Sequence, residues 1–225
     1  MSAMHKIVVF APHTDDGELG CGASIAKFVE EAKHVYYVAF SIARTSAADN
    51  GFPDDILETE VKQATKVLGI PEARLILYDF PVRKFPEFRQ DILEEMIKLR
   101  KQIKPDLVFV PSLNDIHQDH QVVAHEGLRA FKRHTVLGYE EPWNNIVFES
   151  RSFIPLEKRH VEKKIAALNC YRSQMRRAYL TDEAIWSVAR LRGTQLEGGY
   201  AEAFEVLRWI VGGLESGRSG FEGVG

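Results

Sequence analysis

The sequence predicts an α/β domain built on a mostly parallel β-sheet with helices on both faces. Short, continuous apolar runs recur along the chain, as is typical of strands buried on both faces of a sheet. Stretches with helical spacing of apolar residues separate these runs, and strands that alternate with helices form parallel sheets. The chain has 225 residues, of which 45% are hydrophobic, so it is long and apolar enough to bury the core of a single domain.

The strands are predicted from runs of apolar and β-branched residues. The first four runs are residues 6–12 (KIVVFAP), 35–41 (VYYVAFS), 74–80 (RLILYDF) and 106–112 (DLVFVPS). Two later strands are expected at residues 135–140 (TVLGYE) and 145–150 (NIVFES).

The helices are predicted from apolar residues that recur on one face. The first helix follows GELGCGAS and places Ile25, Phe28, Val29 and Ala32 together. Further helices are expected at residues 54–68, where Gly69 is a stop signal, and at 87–103, about 120–133 and 156–170. Thr181 is the expected N-cap of another helix.

Composition excludes several classes of protein. The net charge of −3 gives no sign of nucleic-acid binding, and no apolar run approaches the ~20 residues that cross a bilayer. The first residues lack the features of a signal peptide, and two cysteines are too few for a disulfide framework, so we expect a cytoplasmic protein. One domain is expected over residues 1–215, and the Gly- and Ser-rich residues 216–225 are expected to form a flexible tail.

Two polar clusters follow predicted strands. The first is APHTDDGELG, residues 11–20, and the second is PSLNDIHQDH, residues 111–120. In parallel sheets ligands bind at the carboxyl ends of the strands, so both clusters are expected at the same edge of the sheet. Together they supply imidazoles and carboxylates: His13, His117, His120, Asp15, Asp16, Asp115 and Asp119.

These side chains point to a metal centre. Two imidazoles and one carboxylate form a typical catalytic zinc site with a position open for water, and the same set can hold ferrous iron. Zinc suits hydrolysis because it lowers the pKa of bound water to about 7. Neighbouring aspartates in an extended chain point in different directions, so one can bind the metal while the other acts as a base. The alternative is that the first cluster only caps a helix or closes a turn.

The two clusters resemble a known family. PHTDDGELGCG is similar to the Pro-His-x-Asp-Asp motif of the LmbE/PIG-L superfamily of zinc-dependent N-acetylglucosaminyl deacetylases, and HQDH is similar to its His-x-Asp-His motif. YAEAF at residues 200–204 also resembles a late segment of these proteins. The resemblance implies a Rossmann-like fold, an N-acetylated sugar as substrate and a homo-oligomer.

The resemblance also implies roles for individual residues. One Zn²⁺ per chain would be held by His13, Asp16 and His120, and Asp15 would be the general base. His117 would stabilise the oxyanion or protonate the leaving amine, and Asp119 would orient His117.

Substrate contacts are less well marked in the sequence. Many members of the superfamily carry Thr-x-Gly-Glu after the second strand, where this chain has SIARTSAADNG, and Arg44 is a candidate to replace their substrate-binding arginine. Asn114 and Trp143 are further candidates, since an aromatic ring can stack on a sugar, although core packing would also explain Trp143. The basic stretch from Lys158 to Arg177 is either a solvated face or a rim that receives a nucleotide- or phosphate-linked sugar.

The sequence therefore predicts a zinc-dependent deacetylase of an amino sugar or a sugar conjugate. Two alternatives stay open: a metal-dependent hydrolase of another amide, an ester or a phosphate, and a non-catalytic protein that binds a metal or a sugar. An intact Asp15 argues against the second alternative, because binding alone requires no base beside the ligands.

Overall fold

Strand β1 (Lys6–Ala11) lies at the centre of the sheet in the computed structural model, which describes residues 4–211. Residues 7–11 are all buried, as the continuous apolar run predicts for a strand covered on both faces. β1 pairs in parallel with β2 (His34–Ala39) on one side and with β4 (Leu107–Pro111) on the other. The ends of β1 and β4 are therefore adjacent.

β3 (Leu75–Leu77) and β5 (Thr135–Tyr139) complete the parallel part of the sheet. β7 (Tyr200–Arg208) is antiparallel to β5 and to β6 (Ser152–Leu156). Within residues 4–211 the sheet thus has seven strands, in the order β3-β2-β1-β4-β5-β7-β6. The α/β class and the mostly parallel sheet are confirmed, while the antiparallel edge was outside the prediction.

The strand predicted at residues 145–150 is wrong. Only Asn145 forms an isolated bridge, to Asp115, and the next strand is β6. Ile146 is 79% exposed and Val147 is 55% exposed, so this apolar run is not buried in the sheet. An apolar run predicts a strand only where both of its faces are covered.

Helices cover both faces of the sheet. One face carries α1 (Asp16–Glu30), α3 (Ile56–Leu68), α6 (Lys158–Leu168) and α7 (Asp182–Thr194), and the other carries α4 (Arg89–Ile103) and α5 (Gln118–Ala130). A short helix that was not predicted, α2 (Arg44–Asp49), follows β2. Among residues 4–211 no helix is both long and apolar enough to cross a membrane. The tail expected at residues 216–225 lies outside the described residues.

Helix α1 is interrupted at Cys21, whose backbone is not helical (φ −146°, ψ 22°). The freed amides of Ala23 and Ser24 donate to the carboxylate of Glu202, at 3.2 and 2.7 Å. Lys164 pairs with the same carboxylate at 2.7 Å, and both side chains are more than nine-tenths buried. The pair therefore joins the interrupted helix to α6 and β7.

We predict that Lys164→Met destabilises the fold by about 3–5 kcal/mol, because it leaves the buried Glu202 carboxylate without a counter-ion. The change is measured by urea unfolding. Lys158→Met is the control, since Lys158 is 70% exposed and its surface pair with Glu162 contributes about 1 kcal/mol or less. Equal losses in the two variants would contradict the structural role of Lys164.

Candidate metal centre and active site

The two polar clusters meet at one pocket, as expected from their positions after β1 and β4. Val9 and Phe109 are paired in the sheet, so the loops that follow these strands leave from the same edge. The pocket has a volume of about 330 Å³ and is lined by residues of both loops: His13, Thr14, Asp15, Asp16, His117 and His120. The convergence that the sequence predicted is confirmed.

The carboxylate of Asp16 lies between two imidazoles. Its Oδ2 atom is 3.1 Å from Nδ1 of His13 and 3.3 Å from Nε2 of His120. Ligand atoms at zinc–ligand distances of about 2.0–2.2 Å on a tetrahedral ion are roughly 3.3 Å apart. Each of these two distances therefore matches the spacing of neighbouring ligand atoms around one metal ion.

The outer nitrogen of each imidazole contacts a second carboxylate. Nε2 of His13 is 2.9 Å from Asp119 Oδ2, and Nδ1 of His120 is 2.8 Å from Asp115 Oδ2. Such contacts orient metal-binding histidines and fix their tautomer. They leave Nδ1 of His13 and Nε2 of His120 for the metal, on the side of Asp16.

The implied role of Asp119 in orienting His117 needs correction. The Asp119 carboxylate contacts His13 and accepts hydrogen bonds from the amides of Arg83 and Phe85, at 2.6 and 3.2 Å. Only the backbone amide of Asp119 reaches His117, donating to its Nδ1 at 3.2 Å. The start of α5 explains this, because His117 is the N-cap and its ring accepts from the second amide of the helix.

The charges around Asp16 favour a cation. Burial lowers the pKa of His13, but the Asp16 charge and the hydrogen bond to Asp119 outweigh it and raise the pKa to about 9. Burial opposes ionisation of Asp16, yet the charges of His120 and His13 hold the pKa of its carboxyl well below the usual range. A divalent metal ion bound there would displace the protons of the two rings.

Glu141 joins this cluster, although it was not among the residues predicted from the sequence. Glu141, Asp16 and His120 form a group whose candidate ligand atoms all lie within 4.8 Å of one another. His13, His117 and His120 form a second group that meets the same distance limit. Glu141 follows β5, the strand next to β4, and so lies at the carboxyl edge of the sheet. A carboxylate at this position could have been predicted from the sequence as a further candidate ligand. The residues present fit a metal ion, with two acceptable sets of ligands around His120.

Asp15 is buried beside Asp16, and one oxygen of its carboxylate accepts no hydrogen bond from residues 4–211. That oxygen is Oδ2, and the residue as a whole is 6% exposed. Burial and the Asp16 charge raise the pKa of its carboxyl, while Arg177 opposes the shift. Asp15 lines the pocket, and although it is the N-cap residue of α1, its side chain makes no capping hydrogen bond.

The loop after β1, which carries His13 and Asp15, is held in place by the hydroxyl groups of two buried tyrosines. The hydroxyl groups of Tyr37 and Tyr171 donate to the carbonyl of Thr14, at 2.8 and 2.7 Å. Gly17 permits this approach, because a Cβ atom there would lie 2.6 Å from the Tyr37 ring. Buried Glu18 contacts both phenols, and burial raises the pKa of its carboxyl to about 8.

His117 lines the pocket as a neutral ring. Its pKa is lowered to about 4 by burial and by the charges of His120 and His13. Because Nδ1 accepts a hydrogen bond, the neutral ring carries its proton on Nε2.

Of the three residues expected to contact substrate, the pocket includes Trp143. One face of its indole stacks on Tyr179, with ring centroids 4.0 Å apart and an interplanar angle of 9°. The other two are corrections. Arg44 does not line the pocket and pairs with Asp79 and with acidic residues near α3, and the exposed Asn114 donates to Glu205 at 3.3 Å.

The basic stretch from Lys158 to Arg177 divides into two parts. Three of the four lysines and arginines on α6 form ion pairs away from the pocket: Lys158 with Glu162, Arg159 with Glu30 and Glu157, and Lys164 with Glu202. Arg177, at the other end, lines the pocket. Glu60 helps to hold this end, accepting hydrogen bonds from Ser173 N at 2.9 Å and Ser173 Oγ at 2.6 Å.

The chain is similar to known proteins both in sequence and in fold. The chain is 28% identical over 172 residues to the uncharacterised deacetylase YaiS of Escherichia coli K12, covering 74% of this chain and 90% of YaiS. In fold it resembles the N,N'-diacetylchitobiose deacetylase of Pyrococcus horikoshii, with a TM-score of 0.75, 18% identity, and 91% of this chain and 84% of that one covered.

The same fold also supports another reaction. The chain resembles GalB, the 4-carboxy-2-hydroxymuconate hydratase of Pseudomonas putida KT2440, with a TM-score of 0.75, 21% identity, and 93% of this chain and 98% of that one covered. These structural likenesses describe the fold, and the family is decided by sequence. The family model for GlcNAc-PI de-N-acetylase (PIG-L) matches residues 8–131, more than half of the chain, and the protein therefore belongs to the PIG-L (LmbE) family of deacetylases.

Proposed function

We propose that this protein is a zinc-dependent hydrolase that removes the acetyl group from an N-acetylated amino sugar or sugar conjugate. One observation carries the proposal: Asp16 Oδ2 lies between the rings of His13 and His120, and Asp15, one of whose oxygens has no hydrogen-bond partner among residues 4–211, lines the same pocket. The deacetylase family and the sugar substrate named for the Pyrococcus relative support the choice of reaction and substrate class.

His13, Asp16 and His120 would hold the zinc ion. Nitrogen and carboxylate ligands in a three-residue set are those of catalytic zinc sites, and Glu141 stands beside them. When bound, zinc acts as a Lewis acid that polarises a carbonyl group and makes a water molecule more acidic.

Asp15 would act as the general base. Its carboxylate lines the pocket and would take a proton from the attacking water, whose oxygen would then bond to the acyl carbon. The C–N bond breaks next, and Asp15 or His117 returns a proton to the departing amine. His117 would also donate from Nε2 to the carbonyl oxygen as negative charge develops on it.

Arg177 would favour a substrate that carries an anionic group. It lines the pocket, as does the exposed Arg83, and the ion pairs among residues 4–211 include neither guanidinium. A guanidinium binds phosphate oxygens in a bidentate manner. The proposal thus includes a nucleotide- or phosphate-linked sugar, with Arg177 rather than the α6 residues as its contact.

The metal is tested first. We expect the purified protein to contain about one zinc per chain, measured by elemental analysis, and His13→Ala or His120→Ala to lose it. His125→Ala is the control, because His125 is exposed on α5 and contacts the Gln121 carbonyl of its own helix. Full zinc content in both ligand variants would place the metal elsewhere, and iron in its stead would change the assigned metal.

The base is tested by Asp15→Asn. This variant should keep its zinc and lose at least ~10²-fold in kcat, the usual size of a general-base contribution. Asp91→Asn, an exposed change on α4, should leave both quantities unchanged. Turnover near that of the parent protein would remove Asp15 from the mechanism.

The substrate is tested with N-acetylglucosamine, its 1-phosphate and its nucleotide-linked form, with released amine and acetate as readouts. Arg177→Ala should lower kcat/KM for the phosphorylated forms by at least ~10-fold more than for the neutral sugar, the value of a hydrogen bond to a charged group. The neighbouring exposed Arg176→Ala should show no such difference.

The same assay separates the alternative functions. Equal rates for neutral and phosphorylated sugars would remove the anionic group from the proposal. Activity only on esters or phosphates would make the protein another kind of hydrolase, and binding of metal with no turnover of any substrate would make it a binding protein.

A further inference from the structure

A second cavity, of about 320 Å³, lies beside the catalytic pocket between α1, α6, α7 and β7. Apolar side chains dominate its wall, among them Leu19, Val161, Ile185, Val188 and Ala189. We call this cavity the side pocket. It has about twice the ~150 Å³ that accommodates a benzene ring in an engineered protein cavity.

The side pocket and the catalytic pocket share part of their walls. Leu19, Trp143 and Tyr179 line both. Leu19 lies one helical turn after Asp15, and its amide donates to the Asp15 carbonyl at 3.0 Å. One turn of helix rises about 5.4 Å, so the wall of the side pocket begins about one helical turn from Asp15.

The charged groups around the side pocket are bound to one another. Lys164 donates to the Leu19 carbonyl at 2.6 Å and to Glu202 at 2.7 Å, and Glu140 accepts from Arg192 Nε at 2.9 Å. None of these groups needs a polar ligand to satisfy it. The space that remains suits an apolar group, because burying a polar one there without a partner would cost free energy.

We propose that the side pocket binds an alkyl or aryl substituent of the substrate while the amide is held at the catalytic centre. This inference rests on the proposed function and narrows the substrate to an amphiphile: a polar N-acyl sugar unit joined to an apolar group. The stack of Trp143 on Tyr179 forms the partition between the two pockets. The apolar group belongs either to the acyl chain or to the aglycone, and both have the same chemistry in this cavity.

Binding is tested without turnover. The probes are the linear alcohols from 1-butanol to 1-octanol, followed by tryptophan fluorescence, since Trp143 is in the wall. We expect the Kd to fall by up to about fourfold for each added methylene, the ratio that corresponds to ~0.8 kcal/mol per buried CH₂. A Kd that does not change with chain length, or no binding of 1-octanol, would overturn the proposal.

A variant that fills the side pocket gives the matched test. Ala184 lines the cavity on α7, and Ala184→Phe should weaken 1-octanol binding by at least ~10-fold. Ser187→Phe, on the exposed face of the same helix, should not. Val188→Phe is the second filling variant, for use if Ala184→Phe fails to fold. Unchanged binding in a folded filling variant would show that the alcohol binds elsewhere.

Steady-state kinetics then determine whether the acyl chain or the aglycone of the substrate enters the side pocket. One series lengthens the N-acyl chain, and the other lengthens an alkyl aglycone on N-acetylglucosamine. KM should fall along one series in the parent protein, and Ala184→Phe should abolish that trend while leaving kcat/KM for N-acetylglucosamine itself unchanged. No trend in either series would overturn the substrate assignment. Alcohol binding without turnover of any substrate would instead count against the proposed deacetylase function.

Discussion

The site depends on one carboxylate oxygen, Asp16 Oδ2, that lies within 3.3 Å of both the His13 and the His120 ring. Buried charges are costly unless they are paired, and each imidazole here is paired twice, with Asp16 inside and a second carboxylate outside. Such a cluster persists because a cation, whether protons or a metal ion, balances the carboxylates. The same arrangement that is costly for folding would therefore also favour the binding of a metal ion.

The fold contributes rigid supports for this cluster. β1 and β4 are neighbours in the middle of the sheet, and their ends bring the two loops together. Tyr37 and Tyr171 hold the Thr14 carbonyl from below, and the N-cap at His117 fixes the start of α5. Because these contacts come from the sheet and helices rather than from the loops alone, the ligand atoms are held in place before any metal arrives.

The proposed ligands lie in one part of the chain, whereas the pocket walls come from several parts of it. The proposed ligands and base come from the loops after β1 and β4, within the segment that matches the family. The other residues that line the pocket come from both inside and outside that segment: Ala43, Leu57 and Arg83 lie within it, and Trp143, Arg177 and Tyr179 follow it. These wall residues, rather than the proposed ligands, are the positions at which selectivity for a substrate would be set.

The sequence by itself determined the fold class, the central strands and the two clusters. Continuous apolar runs and polar residues at strand ends are local patterns in the sequence. The runs indicate strands buried on both faces of a parallel sheet, and the polar residues after them indicate a site at its carboxyl edge. Only the tertiary structure decided that NIVFES stays outside the sheet, that Asp119 supports His13, that Glu141 joins the cluster, and that Arg44 and Asn114 lie outside the pocket. These outcomes depend on which side chains from distant segments meet across the sheet edge, and spacing along the chain carries no information about those contacts.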